Sequence, residues 1–80
     1  MRLILYSKPG CHLCEGLQEK LDKIDTLQFE LEIRDITTRD DWFRAYEYEV
    51  PVLCLDQQII PRPSPRCTIK QLENLLQKYI

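Results

Sequence analysis

The apolar positions of this chain change their period from segment to segment. Leu3-Ile4-Leu5-Tyr6 is an unbroken apolar run, as expected of a central strand covered on both faces. The Lys8-Pro9-Gly10 break that follows fits a strand over residues 2–6 rather than a helix. From Cys14 onward, Leu17, Leu21 and Ile24 recur at steps of three, four and three, which places them on one helical face with Cys14 on the inner side. Gly16 falls inside this helix at a cost of about 1 kcal/mol relative to Ala, and close packing against the sheet is the expected reason. Phe29, Leu31 and Ile33 then alternate with Glu30, Glu32 and Arg34, the period-2 signature of a strand near the sheet edge with one face in water.

Thr37 and Thr38 precede Asp40 and Asp41 at the spacing of a capping box, with aspartate where glutamate is more usual, and predict the start of a second helix. Trp42, Phe43 and Tyr46 give that helix an apolar side, and it must end before Pro51, because proline disfavours helical geometry at the preceding residue. Val52 to Leu55 is another unalternating apolar run and Gln58 to Ile60 a shorter one, with Asp56-Gln57 as a hairpin turn between them. Pro61, Pro63 and Pro65 interrupt regular pairing. Ile69, Leu72, Leu76 and Tyr79 return to helical spacing, with Leu75 widening the stripe. Ser64 followed by Pro65, or Thr68 with Gln71 three residues later, are the candidate caps, and Thr68 is preferred. The order is β-α-β-α-β-β-α in a single domain, residues 1–80, with a right-handed crossover expected between the first two parallel strands.

Composition adds limits. With 11 Lys and Arg against 13 Asp and Glu the net charge is −2, so no basic excess points to nucleic acid or an anionic membrane. No apolar run approaches the roughly 18 residues of a membrane span. Four cysteines in so short a chain suggest a secreted disulfide scaffold. Against that, the early apolar run ends at Ser7-Lys8-Pro9-Gly10, too short for a signal-peptide core. A reducing cytoplasm is the expected compartment, where a CxxC pair means redox or metal chemistry.

The pair in question is Cys11 and Cys14, at a strand-to-helix turn. Cys11 stands at or just before the helix N-terminus, where unpaired N–H groups and the positive end of the helix dipole favour an anion. In such a place a thiol pKa falls from about 8.5 to roughly 3.5–7.5. Cys14, one turn on, is within reach to close a small disulfide ring. The rival is a structural zinc or iron site, but four ligands commonly come as two close pairs, and Cys54 and Cys67 are 13 apart. Lys8 is read either as a cation near the thiolate or as a solvated turn lysine. His12 either lowers the Cys11 pKa when protonated or points to water. Cys54 reads as a small buried apolar residue, while Cys67, near the start of the last helix, is a candidate for a regulatory or glutathionylated thiol.

The segment Tyr6-Ser7-Lys8-Pro9-Gly10-Cys11-His12-Leu13-Cys14, after a short strand, resembles the active-site segment of the glutaredoxins, most of all a branch of short bacterial glutaredoxin-like proteins. Glu49-Val50-Pro51-Val52-Leu53 is similar to the step at which that family has a cis-proline facing the redox pair. The resemblance implies an α/β thioredoxin fold, a four-stranded mixed sheet flanked by three helices. It also implies a cis Val50–Pro51 bond, with the Val50 and Pro51 backbone positioning substrate and Lys8 contacting a carboxylate of glutathione. Where glutaredoxins hold the γ-glutamyl end with a Gly-Gly turn and an Asp, this chain reads Ser64-Pro65-Arg66-Cys67-Thr68-Ile69. Arg66, or the Thr68 hydroxyl with the helix N-terminal amides, stands to replace part of that anion site.

The expected function is a monomeric thiol–disulfide oxidoreductase. Cys11 is its nucleophile, Cys14 its resolving thiol, and a protein disulfide or glutathione its partner. No cofactor is expected to be tightly bound, and glutathione is a candidate co-substrate. The alternatives from other classes are an iron–sulfur or metal carrier using Cys11 and a thioredoxin-fold interaction module.

Overall fold

The computed structural model describes residues 2–80. Strand β1 (Arg2–Ser7) leads into helix α1 (His12–Asp22) and strand β2 (Glu30–Asp35). After a 3-10 turn at Ile36–Thr38 come helix α2 (Asp40–Tyr46), strands β3 (Val52–Leu55) and β4 (Gln58–Ile60), and helix α3 (Ile69–Gln77). The sheet order is β2-β1-β3-β4. β1 pairs in parallel with β2 (Leu3 opposite Leu31) and antiparallel with β3 (Leu5 opposite Leu53). β4 returns antiparallel to β3, through Asp56 and Gln57, both at positive φ (48° and 72°), as a two-residue hairpin of right-handed twist requires.

The two central strands sort their side chains by alternation. Leu3 and Leu5 of β1 and Leu53 and Leu55 of β3 face one side, where they join Leu17, Leu21 and Ile24 from α1 and its exit and Leu72 and Leu76 of α3. Tyr6, Val52 and Cys54 face the other, with Ile36 and Val50, and Trp42 and Tyr46 of α2 pack against them. That coverage on both sides explains why Val52–Leu55 is buried throughout. Burying each such aliphatic side chain is worth about 1.5–3 kcal/mol.

α3 begins as its sequence predicts. Thr68 Oγ1 accepts from the Gln71 N–H at 3.1 Å, and the Thr68 N–H donates to Gln71 Oε1 at 2.8 Å, a complete capping box. The corresponding expectation at Thr37 and Thr38 is corrected. Asp35 captures both threonines first: its carboxylate accepts from the Thr37 N–H (2.9 Å) and hydroxyl (2.6 Å), and its carbonyl from the Thr38 hydroxyl (2.7 Å). The chain therefore makes a tight 3-10 turn before α2, which starts after an extended Arg39 with no side-chain cap.

Two further expectations change. An ideal Cβ on Gly16 meets no atom within 4 Å, so close packing does not explain this glycine. The polar face of β2 is not simply in water either: Arg34 is half-buried, donates to Glu32 and to the Tyr6 hydroxyl (3.0 Å), and lies over the rings of Tyr6 and Trp42. On the opposite face Ile33 is 40% exposed, because β2 is the outermost strand and Ile33, unlike Leu31, lies outside the apolar cluster on that face.

Candidate active site

β1 and α1 converge on the turn that carries the cysteines. Gly10 takes φ +78°, a conformation L-residues adopt only at a cost of roughly 1–2 kcal/mol, and this reverses the chain so that the next residue becomes the N-cap. That residue is Cys11, in extended geometry (φ −86°, ψ 99°). Its sulfur accepts the Cys14 N–H at 3.2 Å, occupying the place that a serine or aspartate oxygen takes at an ordinary N-cap. Cys11 and Cys14 are joined by a disulfide across a Cα–Cα distance of 5.3 Å. Cys14 is 3% exposed, while Cys11 is half-buried. Cys11 is thus the more accessible of the pair, with an N–H aimed at its sulfur, and Cys14 is buried.

The Val50–Pro51 peptide is cis. Val50 belongs to the same apolar cluster as Cys14, with Cys11 packed against it, so the proline loop and the dithiol share one end of the sheet. Two cations tie this loop down by its carbonyls. Lys8 Nζ donates to Glu47 O at 3.1 Å; Arg62 Nη2 donates to Val50 O at 3.0 Å and also to Glu49 O. The Val50 N–H donates to Tyr46 O at 3.1 Å. An incoming extended chain would find this amide already bonded and would share the Val50 oxygen with Arg62. Exposed Lys8 thus links the turn that carries the cysteines to the loop that precedes Pro51.

The His12 side chain is 93% exposed, with Nδ1 3.5 Å from the Glu15 carboxylate. A groove of about 130 Å³ opens beside the cysteines, between α1 and the segment after β4, lined by His12, Leu13, Gly16, Leu17, Lys20, Pro51 and Arg62–Pro65. Arg66 and Thr68 do not line it; Arg66 is exposed and the Thr68 hydroxyl caps α3. Sequence reasoning missed Arg62, Pro63 and Lys20 as wall residues. The signals were the proline run, read only as an interruption, and the helix glycine, read as a site of close packing. Cys54 is buried and Cys67 half-buried, and both are free thiols.

The layer below the site is aromatic and cationic. The Tyr6 ring meets Tyr46 at 4.6 Å and Trp42 edge-on at 5.8 Å, and Arg39 covers the Trp42 ring at 4.8 Å. The Glu32 hydrogen bond raises the Arg34 pKa against the opposing effect of desolvation, and burial pushes the Tyr46 phenol up. The hydrogen bonds from Thr37 lower the Asp35 carboxyl, as the Arg39 guanidinium lowers that of Asp41. These shifts keep each group in one charge state around neutral pH, and the contacts of Tyr6 and Arg34 with Trp42 and of Tyr6 with Tyr46 hold α2, whose last turn anchors Val50, against the sheet.

A sheet ordered β2-β1-β3-β4 with α1 and α3 on one face and α2 on the other, and a CxxC disulfide at the start of α1, defines a thioredoxin-fold protein with a disulfide-capable cysteine pair. The structure is similar to that of thioredoxin 1 from the thermophilic eubacterium Thermosipho africanus TCF52B, with a TM-score of 0.66 at 17% identity over 99% of this chain and 93% of that one. Residues 2–77 match the family model described as Glutaredoxin-like domain (DUF836), and the chain belongs to that family. No sequence among the curated proteins matches it. Among the described residues no helix is long and apolar enough to cross a membrane.

Proposed function

We propose that the protein is a thiol–disulfide oxidoreductase that reduces polypeptide or glutathione-mixed disulfides. The observation that carries this reading is the Cys11 sulfur at the N-cap of α1, hydrogen-bonded by the Cys14 N–H and within bonding distance of the Cys14 sulfur. In the reduced protein the same N–H and the helix dipole stabilise a Cys11 thiolate. The thiolate attacks one sulfur of a substrate disulfide; a Cys11–substrate disulfide forms and the other substrate half leaves as a thiolate. Cys14, after losing its proton, attacks the Cys11 sulfur. The substrate's second sulfur leaves, and the intramolecular disulfide carries the two electrons' worth of oxidation.

Resetting the pair requires an external thiol, for which glutathione is the proposed co-substrate in a reducing cytoplasm. Burial of Cys14 behind Cys11 fixes the order of attack, since a substrate sulfur meets Cys11 first. Pro51 and the Val50 oxygen border the attacked sulfur, with Arg62 bonded to the Val50 oxygen and Lys8 fastening the same loop at the Glu47 oxygen. The test is turnover in a disulfide-reduction assay coupled to a dithiol. Cys11→Ser abolishes it, and Cys14→Ser accumulates a Cys11 mixed disulfide detectable by mass. Full turnover by Cys11→Ser would end the proposal.

A further inference from the structure

Gly16 sits in the interior of α1, where glycine is unfavourable by about 1 kcal/mol relative to alanine. It has neither a left-handed φ nor any neighbour that a Cβ would strike. What its missing side chain does leave is the floor of the groove beside the cysteines. One wall of that groove starts with Leu13, an apolar side chain 49% exposed between the two cysteines. The other is Pro63 and Pro65, rigid residues that lose little entropy on contact. At about 130 Å³ the space approaches the roughly 150 Å³ of an apolar cavity that accepts a benzene ring, the size of one large side chain.

The charges around it have one sign. Lys20 and Arg62 line the groove and no aspartate or glutamate does. Among the described residues neither cation forms an ion pair with a carboxylate: Lys20 donates to Pro65 O at 2.7 Å, and Arg62 uses Nη2 alone, on Glu49 O and Val50 O. Guanidinium carries five N–H donors, so most of the hydrogen-bonding capacity of Arg62 is left for a ligand.

We infer that this groove is a specificity subsite for polypeptide substrates, taking a large apolar side chain next to the reactive cysteine, with a neighbouring carboxylate held by Lys20 and Arg62. The inference rests on the oxidoreductase reading and names its substrate class. Glutathione has the carboxylates but no apolar side chain, and so fills the groove only in part.

The test is single-turnover reaction of the reduced protein with four disulfides. Two are disulfide-linked dimers of a short peptide whose cysteine is flanked by Leu and Glu, or by Ala and Lys, the third is hydroxyethyl disulfide and the fourth glutathione disulfide. One apolar side chain in a fitted pocket discriminates by about 10-fold or more, so the wild type is expected to favour the Leu-Glu peptide over the Ala-Lys peptide by at least that factor. Gly16→Leu, which fills the floor, and Lys20→Glu, a surface change that leaves the core intact, are each expected to bring the ratio toward unity. Thermal melts confirm that both variants are folded.

Reaction with hydroxyethyl disulfide but equal rates on the two peptides would overturn the subsite and leave the oxidoreductase reading standing, as would an undiminished ratio in both variants. A faster reaction with glutathione disulfide than with the Leu-Glu peptide would also overturn it. A wild type that attacks none of these disulfides would overturn both readings.

Discussion

Replacing Gly16 by alanine isolates a backbone effect from any contact. The residue lies within the helix His12–Asp22, its φ is outside the left-handed region, and no atom lies within 4 Å of the added methyl. Steric cost is therefore absent, and what remains is the conformational entropy that glycine loses on entering a helix, about 0.5–1 kcal/mol. For a domain of 60–100 residues each kcal/mol moves Tm by about 4–8 °C, so the variant should melt several degrees above the wild type and show a higher urea midpoint at unchanged slope. The pair should be compared in the oxidised state, so that the Cys11–Cys14 bond is common to both. An unchanged or lower Tm would mean that Gly16 has a backbone or packing requirement absent from this structure. The claim that it exists to leave the groove open would then lose its basis.

Other outcomes follow from the same geometry. Thr68→Ala removes the α3 cap and should lower stability by about 1 kcal/mol, read by denaturant unfolding, whereas Thr37→Ala, which loses only the hydroxyl's hydrogen bond to Asp35 and keeps the backbone one, should change it less. Gln57→Gly relieves one positive-φ side chain in the β3–β4 turn and should raise stability by up to about 1 kcal/mol. Asp35 and Asp41 have carboxyl pKa values lowered in the folded state. Their stabilisation is present above the unfolded value near about 3.9 and is lost as pH falls through the folded values. Asp41→Asn should therefore flatten the acid limb of a Tm-against-pH curve. Arg62→Ala frees the Val50 and Glu49 carbonyls and should raise KM for peptide disulfides more than it lowers kcat, with partial rescue by Arg62→Lys.

Most of the scaffold was legible because it is local. The runs Leu3–Tyr6 and Val52–Leu55, the Leu17–Leu21–Ile24 stripe and the Thr68–Gln71 pair each carry their signal within one element, and each forms the element expected of it. The site's cysteines were legible for the same reason, being three residues apart at a turn. What escaped depends on pairing across the fold. Lys8 reaches a carbonyl 39 residues away and Lys20 one 45 away, and nothing around either lysine signals its acceptor. Thr37 and Thr38 had the spacing of a cap, but Asp35, two and three residues before them, accepts from both and so displaces the box with Asp40 and Asp41. Arg34 looked like a water-facing residue of an alternating strand until α2 brought Trp42 over it. A short helix covering part of a sheet cannot be anticipated from strand periodicity.

The central claim is that Cys11 is an activated thiolate at a helix N-terminus, and the pH dependence of its alkylation in the reduced protein tests this most directly. Modification at Cys11, Cys14, Cys54 and Cys67 can be resolved by peptide mass. The account predicts that Cys11 is modified first, with a midpoint well below the roughly 8.5 of a free thiol, while buried Cys14 lags behind it. A Cys11 midpoint at or above that value, or Cys14 reacting ahead of Cys11, would contradict it.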